Sequence, residues 1–126
     1  MSLFQKNRRK KERKARMAQV VFTVQSGKSP RRISSPVNAT AKDFSSMGMS
    51  VVTPKIAPDG IHVMYDTLMT TRNRVDATVF PEGGSPFRVS GKVVWFRGAE
   101  EPAGSYIFGM QFDQPSAELQ EWLFLE

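Results

Sequence analysis

The chain has 126 residues, no cysteine and a single histidine, His62. The first absence excludes disulfide bonds and thiolate metal sites. The second excludes a multi-histidine metal centre, and His62 reads instead as a residue at the start of a strand. No apolar run approaches the roughly 20 residues that a membrane-spanning helix needs. The basic N-terminus is not followed by an apolar stretch of signal-peptide length before Met17. Catalysis also lacks its parts, because no nucleophile–base–orienter set and no paired carboxylates stand out. The expectation is a soluble, cytoplasmic protein that binds without chemistry, takes no metal or cofactor and is not an enzyme.

What charge there is, is unevenly spread. The net charge is +6, yet residues 1–16 hold eight of the 18 basic residues and one acidic residue, Glu12. The remaining ten cations face eleven carboxylates, so residues 17–126 are close to neutral. A basic arm on a neutral body points to an arm that meets something anionic, rather than to a body that coats itself in nucleic acid. The arm, "MSLFQKNRRKKERKAR", is too polar to bury a face, and self-repulsion predicts that it is mobile when alone. The chain therefore divides into an arm, 1–16, and a folded domain, 17–126.

The body is 40% hydrophobic by the whole-chain composition, enough for a core. "MAQVVFTVQ" is rich in β-branched and aromatic residues and predicts a strand. "VNATAK" alternates with period two and predicts a half-buried strand ending at Asp43. The next strand starts near Met47 and runs through "GMSVVT", which makes the pair a hairpin. Ile61, Val63 and Tyr65 alternate, but the run to Arg74 reads as loop or irregular strand. "VDATVF", "FRVSGKVVWF" and "YIFGMQF" complete about six strands, separated by Gly- and Pro-rich turns. In "PSAELQEWLFLE" the period changes, with Leu119, Trp122 and Leu123 at helical spacing after Pro115 and Ser116. Short strands without intervening helices predict an all-β antiparallel barrel or sandwich, closed by a short C-terminal helix. Trp95, Phe96, Phe108, Phe112 and Trp122 read as core, and Met47, Met49 and Met110 as gap-fillers.

Two constellations carry chemistry. Asp43-x-Ser45-x-x-Gly48 opens the third strand, and on residue types alone it reads first as a tight turn. Arg9-x-x-x-Arg13, in a run that also holds Arg8 and Arg16, reads first as a solvated tail. Residues four apart face one way on a helix or on an extended arm, so both guanidinium groups can address one ligand. Taken together the inventory is more specific. Arginine matches phosphate and the guanine O6/N7 edge. A carboxylate accepts from guanine N1–H and N2–H2, a serine hydroxyl bonds phosphate oxygen, and glycine admits close backbone approach. Arg31 and Arg32 read as surface charges that could add to the field at such a ligand.

Arg-x-x-x-Arg, a spacer with one strand, then Asp-x-Ser-x-x-Gly resembles the PilZ domain family. "VSGKVVWF" followed by "YIFGMQFDQPSAELQEWL" resembles it in order as well, so the likeness runs from Arg9 to near the C-terminus. The resemblance implies a small antiparallel β-barrel that serves as a receptor for cyclic di-GMP. It implies ligand contacts from Arg9 and Arg13 on the arm and from Asp43, Ser45 and Gly48 on the barrel, with Arg8 and Arg16 as additional candidates. Spacing favours the pair Arg9/Arg13, whereas closeness to the first strand favours Arg13/Arg16. It further implies an effector protein as partner, in motility, exopolysaccharide or pilus output. The rival expectations are a PilZ-like module that binds protein and no nucleotide, and a nucleic-acid-binding protein that uses the basic arm.

Overall fold

The computed structural model describes residues 16–66 and 71–124. Six strands, β1 (Ala18–Gln25), β2 (Val37–Ser45), β3 (Gly48–Thr53), β4 (Arg74–Phe80), β5 (Phe87–Gly98) and β6 (Tyr106–Phe112), are followed by a helix, α1 (Ala117–Leu123). All pairings are antiparallel, and the order β1-β2-β3-β6-β5-β4 closes through the β4–β1 ladder. Of the two expected architectures the barrel is the one formed.

Alternation explains the interior. Val20, Phe22 and Val24 of β1, Ala39 and Ala41 of β2, Val75, Ala77 and Val79 of β4, and Phe108, Met110 and Phe112 of β6 point inward and are buried. Phe22 and Phe108 meet edge to face across the core, with centroids 5.5 Å apart. Exposed alternates include the polar Gln19, Asn38 and Arg88.

One end of the barrel carries the start of β1, the β2–β3 turn, the β4–β5 turn and α1. Ser116 caps α1 by accepting a hydrogen bond from Leu119 N at 3.1 Å, so the helix begins where Pro115 and Ser116 predict it. Leu119, Trp122 and Leu123 form its buried face. Trp122 meets Phe44 edge-on, with centroids 5.1 Å apart, and its indole donates to Glu82 O at 3.3 Å. The helix thus plugs this mouth.

Loops close the other end. The described residues 61–66 and 71–73 are loop rather than strand apart from an isolated bridge between Tyr65 and Arg72, and Ile61 and Val63 are buried in the core. His62 lies on that loop and not at a strand start. Asn73, fully buried, accepts from Gly27 N at 2.8 Å and donates to His62 O at 2.7 Å, which pins two loops together.

The eight aromatic and methionine assignments divide. Phe108, Phe112, Trp122, Met49 and Met110 are core as expected, but Trp95 (40% exposed), Phe96 (44%) and Met47 (39%) are not. Met47 sits at the tip of the β2–β3 turn. A register shift between Val93 and Trp95 reverses the facing of β5, so Trp95 emerges on the outer surface.

His62 gives this end a pH dependence. Its imidazole rests against Phe96, with centroids 4.8 Å apart, and its Nδ1 accepts from Met64 N at 3.0 Å. Burial pushes the imidazole below its usual range. The unfolded chain therefore takes up this proton first as pH falls through about 6.5. The stability held by neutral His62 is complete above that pH and is lost below it. The melting temperature should fall between about pH 7.5 and pH 5 in the wild type, and less in His62→Gln. Parallel pH profiles in thermal melts would show that His62 is uninvolved.

Candidate functional site

The β2–β3 hairpin contains the feature that places the motif. Lys42 pairs with Ser50 and Ser45 pairs with Gly48, so Asp43 and Phe44 together oppose Met49 alone. This is a β-bulge, and β2 continues through it to Ser45 instead of ending at Asp43. Asp43 adopts a left-handed conformation, φ 53°, which aspartate tolerates better than most residues. The extra residue reverses the alternation. Phe44 turns inward and is fully buried under Trp122, while Asp43 turns out to solvent. Without the bulge, strict alternation after Ala41 would bury the carboxylate and expose the phenyl ring.

The other motif residues have local duties as well. Ser45 Oγ accepts from Met47 N at 3.3 Å, a turn contact. Gly48 lies so close to β6 that a Cβ there would stand 2.4 Å from the Met110 carbonyl oxygen. The glycine is thus required by the barrel itself. Asp43 differs from both: among the described residues its carboxylate meets no hydrogen-bond or ion-pair partner. Met47 O accepts from Phe112 N at 2.8 Å, and Ser46 O accepts from Ser116 N at 3.1 Å. The turn is therefore tied directly to the end of β6 and the cap of α1.

Arg16 reaches this same end. Its guanidinium stacks over the Trp122 ring, 5.2 Å from the centroid, and Trp122 in turn contacts Phe44. The root of the arm and the Asp43 hairpin thus converge on one aromatic pair. Arg8, Arg9 and Arg13 lie outside the described residues. Arg31 and Arg32 belong to the opposite, loop end, where Arg32 donates to Asp59 O at 3.0 Å, away from the hairpin.

The barrel's outer face adds a residue that the periodicity concealed. Across β2, β3, β6 and β5 the register aligns Lys42, Ser50, Gly109 and Trp95 in one outward row. The Trp95 indole lies against the Gly109 backbone, where an added Cβ would come within 2.1 Å of Nε1. Arg97 covers the ring from 5.7 Å. An open depression of about 360 Å³ beside this row is lined by Lys42, Val52, Ile107 and Arg97 with Glu100 and Glu101. The bulge at Val93/Trp95 is the signal the sequence hid, since alternation assigns Trp95 to the interior.

Among the described residues no three His, Asp or Glu side chains gather as they would around a metal, and no helix is long and apolar enough to cross a membrane. A family model described as the PilZ domain matches residues 7–125. No curated protein and no solved structure gives a significant match. With nearly the whole chain covered, the protein belongs to the PilZ domain family, whose members are in general cyclic di-GMP-binding receptors. The matched span includes Arg8, Arg9 and Arg13 as well as the hairpin.

The bulge makes a stability test of the motif possible. Asp43→Ala places alanine in the left-handed region and should cost about 1 kcal/mol, whereas Asp43→Asn should be close to neutral. Gly48→Ala drives a methyl into a backbone carbonyl and should cost about 1–3 kcal/mol. Chemical denaturation of the three variants checks the order. Equal stability of Asp43→Ala and Asp43→Asn would contradict the left-handed assignment.

Proposed function

For a PilZ-family chain built this way, we propose that the protein is a cyclic di-GMP receptor that passes its signal to another protein. The observation that carries this reading is the Asp43 carboxylate. It is turned outward by the same bulge that sends Phe44 into the core, it is exposed, and it has no partner among the described residues. It stands at the end of the barrel from which the arginine-rich arm departs.

In this reading Asp43 accepts from guanine N1–H and N2–H2, and Ser45 bonds a phosphate oxygen. Gly48 lets the β3 backbone lie close to the ligand in addition to its role against β6. Arg9 and Arg13 close over the ligand from the arm, bonding phosphate and the guanine edge, with Arg8 available beside them. Arg16 is the other member of the alternative pair with Arg13. Its stacking on Trp122 supports a role as the hinge of the arm, leaving Arg9/Arg13 as the clamp. Trp95 and Lys42 extend the same outer face, one as a flat ring and the other as a cation.

Binding would exchange the freedom of the arm for charge-assisted hydrogen bonds to a dianion. The output is an altered surface around the arm, α1 and the hairpin, which is what an effector protein would read. The chain's own residues then need no catalytic step. The hairpin's ties to Ser116 and Phe112 give that change a short route to α1.

A second reading has one observation in its favour. Ser45 and Gly48 each have a structural duty that does not require a ligand, as a protein-binding module without nucleotide would have. Calorimetry distinguishes the readings. Cyclic di-GMP should bind the wild type and should bind Asp43→Asn roughly ten- to a hundred-fold more weakly, since a hydrogen bond to a charged group is worth about 1.5–3 kcal/mol. The asparagine amide offers one acceptor and one donor, which suits the adenine edge better than that of guanine. Preference for cyclic di-GMP over cyclic di-AMP should therefore fall in Asp43→Asn while its melting curve is unchanged. No binding by the wild type would favour the protein-binding module, and tight binding of oligonucleotides instead would favour the nucleic-acid alternative.

The arm supplies an independent check. Arg13→Ala should weaken cyclic di-GMP about tenfold or more, whereas Lys6→Ala should have little effect, because a distal lysine offers only screened attraction. Equal losses would mean that the arm acts as diffuse charge.

A further inference from the structure

β5 outruns its neighbour. β4 pairs with β5 only over Phe87–Gly91, while β6 follows β5 as far as Gly98. Among the described residues no strand or isolated bridge pairs with Lys92–Gly98 on the β4 side. Closing a barrel removes its edges, but this length of β5 lies outside the closure.

The direction of the backbone groups follows from the ladder. Asp113 N donates to Ser90 O, and Ala99 N donates to Ser105 O. Counting through the bulge, Trp95 and Arg97 direct their N–H and C=O toward β6, and Phe96 and Gly98 direct theirs away. Val93 also faces away, and its carbonyl is taken by Arg72 Nη1 at 3.1 Å. That contact shows the edge accepting a donor from outside the sheet.

The side chains along this edge are apolar, aromatic and basic. Val94, Trp95 and Phe96 are each at least 40% exposed. The rings are held in place: Trp95 between Gly109 and Arg97, Phe96 against His62, and nearby Tyr65 beneath Arg72 at 5.6 Å. Rigid aromatics beside arginine are what energetic centres of protein interfaces are made of.

We propose that the β5 edge from Val94 to Gly98 is a docking site for an extended segment of a partner protein in which carboxylate and apolar side chains alternate. An added strand would find its ladder partners at Phe96 and Gly98. Its side chains would alternate between the two surfaces of the sheet extension. Those beside Trp95 and Arg97 meet a cation on a ring, which suits carboxylates. Those beside Phe96 meet a hydrophobic surface. A second copy of this chain fits poorly, because β5 carries Arg88, Lys92 and Arg97 and no carboxylate, so two such edges would set like charges together. The inference does not rest on nucleotide binding.

Amide exchange followed by NMR, without cyclic di-GMP, tests it. In the free protein the Phe96 and Gly98 amides should exchange about tenfold or more faster than that of Arg97. A short acetylated peptide alternating glutamate and valine should slow both, and one alternating lysine and valine should not. Phe96→Ser should weaken the glutamate peptide about tenfold, and Arg97→Glu should reverse the preference between the two peptides. Both residues are exposed, and either variant alone decides the matter if the other fails to fold. Protected Phe96 and Gly98 amides in the free protein would overturn the proposal, since the edge would already be covered. Indifference to both peptides, or equal response to them, would overturn it too. A dimer abolished by Phe96→Ser would assign the edge to a second copy, and single-stranded DNA binding abolished by the same change would assign it to nucleic acid.

Discussion

The bulge at Asp43 is the constraint on which the candidate site depends. One additional residue in β2 lets two neighbours in sequence face opposite media. Phe44 enters the core and supports Trp122, while Asp43 is left exposed with a carboxylate that has no partner among the described residues. The two outcomes are inseparable. The left-handed backbone at Asp43 is held by the ladder on either side, Lys42 with Ser50 and Ser45 with Gly48. A polar residue with affinity for that conformation is needed there whether or not a ligand ever arrives.

A second bulge, between Val93 and Trp95, repeats the device on β5 with a different result. There the reversed alternation brings an indole onto the outer face and leaves three successive apolar side chains in contact with solvent. The two bulges lie on strands separated by β3 and β6, and Lys42 and Trp95 end the same outward row. One creates a polar site at the arm end of the barrel. The other creates a basic aromatic surface toward the loop end. Both departures from regular pleating leave the core continuous.

The arm end is also where separate parts of the chain are coupled. Arg16 stacks on Trp122, Trp122 meets Phe44, and the hairpin turn is hydrogen-bonded to Phe112 and Ser116. A cation over an indole is worth about 0.5–1 kcal/mol when exposed, small enough to be exchanged for contacts to an anionic ligand. Displacement of the arm root would therefore be felt by the helix that closes the barrel.

Much of this was legible in the residues. Period-two alternation located β2 and β4, richness in β-branched and aromatic residues located β1, helical spacing located α1, and turn residues separated the strands, because each pattern follows from local geometry and the need to bury one face. The Asp-x-Ser-x-x-Gly motif and its hairpin were visible for the same reason. What alternation could not supply was its own interruption. β2 runs on through Asp43, Trp95 faces outward, and Phe96 projects beyond the covered part of the barrel, because each depends on which strand lies opposite and where that strand stops. The meaning of Gly48 likewise required β6, whose Met110 carbonyl lies where a side chain would go. The sequence by itself determined the all-β class, the core face of most strands, the basic arm and the residues of the motif, since these are properties of composition and short-range order. Only the tertiary structure decided which of those residues face the same water, because facing is set by the register between strands distant in sequence, and one inserted residue is enough to reverse it.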